Sequence, residues 1–147
     1  MPTISPGEVI QVGPVAVRFF MDAGQTGGQF TMFDFRVPAK ARVPVPHSHV
    51  AFDETIYGLT GVMMWTVGGE TIRVEPRQVL FIRRGVIHGF ENRGQEDASA
   101  LSIITPGLLG PAFFQDVADV LNAGGPPDVA RIMAVMEKHG LKPAPPA

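Results

Sequence analysis

Cysteine is absent from this 147-residue sequence. Disulfides and thiolate ligands are thereby excluded, and any metal must be held by nitrogen and oxygen donors. An excess of one charge is also missing. The 12 Lys and Arg residues face 14 Asp and Glu residues, a formal charge of -2 with no basic block, so the sequence carries no footprint for nucleic acid or an anionic membrane surface. No run of about eighteen apolar residues occurs, and the start MPTISPGEVI lacks a basic segment followed by an apolar one. A soluble, cytoplasmic protein is expected, with neither nucleic acid nor membrane as partner. Histidine is scarce, with 4 in the chain, yet two of them stand two apart in VPHSHVAFDET, residues 45–55, just ahead of an acidic pair.

What is present is enough apolar sequence for a core: 45% hydrophobic and 18% charged residues in a chain of one-domain length. The 17 glycines and 14 prolines punctuate short apolar runs. From Glu8 to about Thr105 these runs read as strands: VAVRFF, GQFTMFDFRV, ETIYGLT, VMMWTV, ETIRVE, QVLFI, VIHGFEN and ALSIIT. Regular short strands with glycine turns predict an all-β sandwich or barrel. Gly68 and Gly69 predict a two-residue hairpin turn between Val67 and Glu70. In FTMFDFRV the alternation turns Phe33 and Phe35 inward, opposite Asp34 and Arg36.

After TPGLLGP the period becomes helical. Phe113, Phe114, Val117, Ala118 and Leu121 share one face, and Val129, Ile132, Met133 and Met136 share another behind the capping residue Asp128. Gly140 is placed to end the second helix, His139 beside it is expected in solvent, and the proline-rich tail cannot continue the helix. The expected organisation is one domain over residues 1–147, with the β portion over about 8–105 and a helical segment over about 110–140.

The histidine pair gains meaning from side-chain direction. Residues two apart on a strand share a face, so an extended PHSH projects His47 and His49 together. Glu54 lies an odd step beyond His49 and reaches the same point only if the chain turns through VAFD. Asp53 is the rival carboxylate, because neighbours on a strand cannot share a face. His88 stands in an apolar strand with Val86 and Phe90 on its own side, which makes it an inward residue.

These residues resemble the two motifs of the cupin superfamily. The first is a histidine pair, three or four residues, a glutamate, six residues and a glycine, met here by His47, His49, Glu54 and Gly61. The second ends in a glycine, two residues, a histidine, three residues and an asparagine, met by Gly85, His88 and Asn92. The resemblance covers roughly residues 30–105. Two positions depart from it: Ala41 stands in place of a glycine ahead of the histidine pair, and Arg83 in place of a proline before Gly85. The family spacing favours Glu54 over Asp53. The resemblance implies a conical double-stranded jelly-roll β-barrel whose His47, His49, Glu54 and His88 hold one divalent metal. The helical tail resembles the small single-domain cupins termed quercetin dioxygenase-like.

Three neutral imidazoles and a carboxylate suit one divalent transition metal, Fe, Mn, Ni, Cu, Co or Zn, rather than Ca or Mg. Four donors leave two open positions on an octahedral ion, whereas a tetrahedral zinc would be closed by them. Strand parity places Ile56, Met63, Val67, Phe33, Phe35, Leu101 and Ile103 in the interior. Phe52, Trp65 and Phe90 are the candidate substrate-binding residues near the donors, and filling of a small barrel is the plainer account of the rest. Tyr57 has outer-face parity, and Arg83 and Arg84 read as loop charges. The expected activity is that of a dioxygenase-type oxidoreductase on a small enolic, phenolic or otherwise oxygenated molecule, with O2 as co-substrate and Glu54 as ligand or base. A non-redox isomerase or decarboxylase, or a small-ligand-binding cupin without turnover, are the alternatives. Val62 and Met64 fall on the outer face, where the N-terminal strands, the helices or a second subunit would cover them, and a homodimer is expected.

Overall fold

The computed structural model describes residues 3–42 and 45–144. Strands Val9–Val12 (β1) and Val15–Met21 (β2) form a hairpin that turns at Gly13. The loop expected over DAGQTGG contains one helical turn, Ala23–Thr26 (α1), capped by Asp22 through Gln25. Then follow Thr31–Val37 (β3), His47–His49 (β4), Asp53–Thr60 (β5), Met63–Val67 (β6), Glu70–Val74 (β7) and Val79–Ile82 (β8). His88–Glu91 (β9) and Ala98–Thr105 (β10) complete the β portion. The helices Pro111–Leu121 (α2) and Val129–Lys138 (α3) come next, and a last strand, Leu141–Pro143 (β11), closes the described chain.

The strands make two antiparallel sheets, one ordered β1-β2-β3-β10-β5-β8 and the other β11-β4-β9-β6-β7. Their packing fits a jelly roll. Phe33 and Phe35 of β3 point inward as expected, and Phe35 meets Trp65 and Phe90 of the other sheet at ring-centroid distances of 6.2 and 5.0 Å. Val67 pairs with Glu70 across Gly68 and Gly69, both at positive φ, which is the expected hairpin. Gly61 has φ +63° and a Cβ there would come within 2.4 Å of the Asp97 carbonyl oxygen, so the motif position admits only glycine. Buried Asn92 donates from Nδ2 to the carbonyls of Val37 and Glu96 and accepts from the Gly94 N–H, pinning the turn between β9 and β10.

Several expectations are corrected. In β10 the buried residues are Ala98, Ala100, Ser102 and Ile104, so Leu101 and Ile103 take the other, half-covered face. The run ALSIIT is apolar on both parities and gives alternation nothing to read. On α3 the packed residues are Ile132, Val135 and Met136, while Val129 is exposed. His139 is not in solvent: its Nε2 lies 2.7 Å from Asp116 Oδ2, and its ring stands edge-on to Phe113. The tail does not continue the helix, as expected, but Pro143 stands in a strand, since an edge strand asks little of its backbone N–H groups. Leu141–Pro143 pairs with β4, Leu141 opposite His49 and Pro143 opposite His47.

The helices are fastened at both ends. Asn122 accepts from the Gly13 N–H and donates to the Gln11 carbonyl, tying the end of α2 to the β1–β2 hairpin. Asp128 caps α3 through the Arg131 N–H, and Gly140 at φ +83° turns the chain into β11. The C-terminal segment therefore lies across the end of the sandwich where β4 presents its histidines. Among the described residues no helix is long and apolar enough to cross a membrane.

Candidate metal centre

The short strand β4 sets His47 and His49 on one face, and its antiparallel pairing with β9 puts His47 opposite His88. The three rings stand 4.5 to 5.2 Å apart, centroid to centroid, and one nitrogen from each lies within 4.8 Å of the others. Backbone carbonyls orient two of them. His88 Nδ1 is 2.9 Å from the Val86 oxygen and His47 Nδ1 is 3.2 Å from the Val45 oxygen. A carbonyl can only accept, so these Nδ1 atoms carry protons, and in the neutral ring form Nε2 is the nitrogen that keeps the lone pair.

Glu54 joins the cluster from β5 after the chain turns at Val50 and Ala51. Its Oε2 accepts a 2.5 Å hydrogen bond from Ser102 Oγ, and its Oε1 lies 3.9 Å from His49 Nε2 and 3.6 Å from His88 Nε2. Asp53 faces away. It accepts from the Arg84 N–H, Nε and Nη2 at 2.8, 3.2 and 3.1 Å, so Arg84 clasps the β8–β9 loop onto β5. The same loop is tied to β4 by the Gly85 N–H, which donates to the His49 carbonyl at 2.8 Å. Arg83 is exposed.

Burial holds His47 down at about 3 and His49 at about 4, so both imidazoles are neutral at physiological pH. Burial alone would raise Glu54, but the contact with His88 and the hydrogen bond from Ser102 act against it, and the carboxyl is held at about 2. The result is a buried carboxylate beside neutral rings. His88 Nε2 is buried with no hydrogen-bond partner, as are His49 Nδ1 and the indole N–H of Trp65. Buried polar atoms are ordinarily paired, because an orphan costs about 1–3 kcal/mol. A lone pair left open among neutral imidazoles and a carboxylate fits a borderline divalent cation, and the donor set passes that test.

The donors open on a chamber of about 70 Å³. Trp65 and Phe90 line it, their rings tilted against one another at 4.8 Å and 37°, and Phe113 and Leu141 close it from the C-terminal segment. Phe52 is not among the lining residues: it stacks on the far side of His49 at 4.4 Å and 24°. Ser102, Phe113 and Leu141 are absent from the sequence-derived site. Phe113 was legible as part of an apolar helical face, but nothing local ties it to the histidines.

Comparison with known proteins agrees with this geometry. The Cupin domain family (Cupin_2) matches residues 33–104, a span that holds all three histidines and Glu54. The chain belongs to the cupin superfamily. Its glycines at 61 and 85 and Asn92 occupy the motif positions, and the turns and pinned loop described above are what those residues do here.

This cupin is also similar to the tetracenomycin polyketide synthase protein TcmJ of Streptomyces glaucescens, 35% identical over 85 residues. That match covers 56% of this chain and 57% of the relative, so the chain spans little more than half the length of the curated protein it matches. Among solved structures, a predicted oxalate decarboxylase from Thermotoga maritima aligns with a TM-score of 0.61 and 22% identity, covering 70% of this chain and 93% of that one. KdgF from a Halomonas species aligns with a TM-score of 0.60 and 16% identity, covering 68% and 86%. At such identities these two likenesses speak for the fold alone.

Proposed function

We propose that this cupin is a mononuclear-metal oxidoreductase of the dioxygenase type acting on a small enolic or phenolic molecule. The observation that carries the reading is the convergence of neutral imidazoles and an ionised carboxylate on one buried, apolar chamber. His47, His49, His88 and Glu54 would hold one divalent metal of the Fe, Mn, Ni, Cu, Co or Zn series. When bound, such an ion supplies Lewis acidity toward a substrate oxygen and a place for O2 chemistry.

The residues of the chain supply the rest. Trp65 and Phe90 offer ring faces and edges to a flat unsaturated substrate. Ser102 fixes Oε2 of Glu54 and leaves Oε1 toward the imidazoles, where it would ligate the ion or, once released from it, serve as the base. Phe113 and Leu141 exclude bulk water, which strengthens every polar contact inside. Phe52 steadies the His49 ring from behind, a supporting role in place of substrate contact. Both atoms of O2 enter the organic product in a dioxygenase reaction, so no outside reductant is needed. The likeness to a polyketide synthase protein supports an oxygenated organic substrate.

Sheet packing supports closure into the conical jelly-roll barrel as one domain, and we take a homodimer to be the working assembly. An isomerase or decarboxylase would want a further acid, base or cationic anchor. Among the described residues lining the chamber, the ionisable ones are the histidines and Glu54.

The test is elemental analysis of protein purified without a chelating tag, then oxygen-electrode assays of its iron, manganese, nickel and copper forms with enolic and phenolic compounds. Near one metal per chain with substrate-dependent oxygen uptake is expected. Metal without uptake by any form would overturn the dioxygenase assignment in favour of isomerisation or plain binding, and failure to take up metal would overturn the centre itself.

A further inference from the structure

A second cavity, of about 100 Å³, lies beneath the helices. Val117 and Leu121 of α2 and Ile132 and Met136 of α3 roof it, and Val12 and Pro14 of the β1–β2 hairpin lie on its other side. It adjoins the metal chamber, and His47, Phe90, Phe113 and Phe114 are walls of both. No charged group is buried in it. Arg42 touches its edge, but that side chain is 83% exposed and faces Glu91 at 3.4 Å, so its charge stays in water. Packed interiors hold few voids larger than a water molecule, and an apolar void of this kind stays dry.

We propose that this second chamber is a subsite for an uncharged apolar arm, an alkyl chain or a single ring, on a substrate whose oxygenated end lies at the histidines. The inference rests on the function proposed above and narrows its substrate class. His47 and Phe90, shared by both chambers, set the junction where the polar head gives way to the arm. A small phenol lacking the arm fills only the inner chamber. An arm ending in a carboxylate would have to strip that charge of water with no cation inside to meet it.

The experiment uses phenol, 4-propylphenol and 3-(4-hydroxyphenyl)propanoate as probes, on zinc-loaded and metal-free protein. Trp65 is the single tryptophan of the chain and lines the inner chamber, so its one indole N–H resonance reports binding by NMR, and calorimetry gives the affinities. 4-Propylphenol is expected to bind roughly 10- to 50-fold more tightly than phenol, from three methylenes leaving water. The carboxylate probe should lose that gain, and the gain should persist without metal.

Val117→Phe fills the second chamber alone. It should cut the propyl gain to less than about threefold while phenol binds as before. Val117→Ala tests the same wall from the other side, because enlarging the chamber should favour 4-pentylphenol over 4-propylphenol. No propyl gain in the wild type, or an equal gain in Val117→Phe, would overturn the subsite. Phenol moving the Trp65 resonance without a propyl gain would sink the subsite and leave the proposed function standing. A propyl gain in protein that takes up no metal would do the reverse.

Discussion

The Ser102 hydroxyl donates a 2.5 Å hydrogen bond to Oε2 of Glu54, and both residues are buried. They belong to neighbouring strands of one sheet, where Ser102 stands opposite Ile56 and Ile104 opposite Glu54. The carboxylate is thus held by a residue two positions along from its direct cross-strand neighbour, and its second oxygen is left toward the imidazoles. Groups that orient a ligand in this way typically account for 10- to 100-fold in metal affinity. Ser102→Ala should weaken Zn²⁺ binding by about that factor in a chelator competition, and Ser102→Thr should restore most of it. Equal affinities in wild type and Ser102→Ala would show that the bond does not position Glu54.

Trp65 makes the centre observable. Its ring lies parallel to that of His88, 6.4 Å between centroids and 29° between planes, and no other tryptophan competes for the signal. Titration with Cu²⁺ or Ni²⁺ should quench its fluorescence and saturate near one ion per chain. His47→Ala combined with His49→Ala should abolish the quench. Metal-free protein should still melt cooperatively, because the core contacts between Phe33, Phe35, Trp65 and Phe90 do not involve the ion. Unchanged quenching in the double variant would place the ion elsewhere, and an unfolded metal-free protein would make the centre structural.

Much of this site was legible before any coordinates because its donors obey local rules. His47 and His49 share a face by strand period, and His88 keeps company with apolar neighbours of its own parity. Gly61, Gly85 and Asn92 are dictated by backbone conformations and pinned turns that recur wherever the same chain path is built. The missed residues depend on long-range contact. Ser102 sits in a run whose two parities are equally apolar, so only the β10–β5 register identifies the inward set. Leu141–Pro143 pairs with β4 across some ninety residues of sequence, and a proline-rich tail carries no local sign of a strand. His139 resembles any helix-end residue until α2 brings Asp116 against it. Local chemistry marked the centre, and tertiary packing chose what closes it.

Two carboxylates that face away from the centre add to the acid limb of stability. Hydrogen bonds from the Arg84 guanidinium and N–H lower the Asp53 pKa, and those from His139 and Lys138 lower that of Asp116. A carboxyl whose folded pKa lies below its unfolded value of 3.8 adds stability above that value. The addition is lost as pH falls through the folded pKa. The double variant Asp53→Asn, Asp116→Asn should therefore melt lower than wild type at neutral pH, and the two should converge as pH falls below about 4. A difference in melting temperature that stays constant over that range would mean that the lost stability is not electrostatic.

The β8 strand bears on assembly. It ends the six-stranded sheet, so one of its hydrogen-bonding edges has no partner among the described strands. Val79 and Phe81 are 63% and 55% exposed on it, and Tyr57 and Leu59 of neighbouring β5 continue the patch on the same outer face. Val62 and Met64, the sequence's candidates for such a surface, are already half-buried. An open edge flanked by apolar side chains is costly to leave in water, and an edge strand can pair antiparallel with its own copy about a twofold axis. In the proposed homodimer the second copy covers this patch. Light scattering should give a dimer at micromolar concentration for the wild type and a monomer for Phe81→Glu, with metal stoichiometry unchanged because Phe81 is exposed on the face opposite to buried Ile82 and Glu54. A wild type that runs as a clean monomer would rule the arrangement out, and a dimer that survives Phe81→Glu would move the interface to another face.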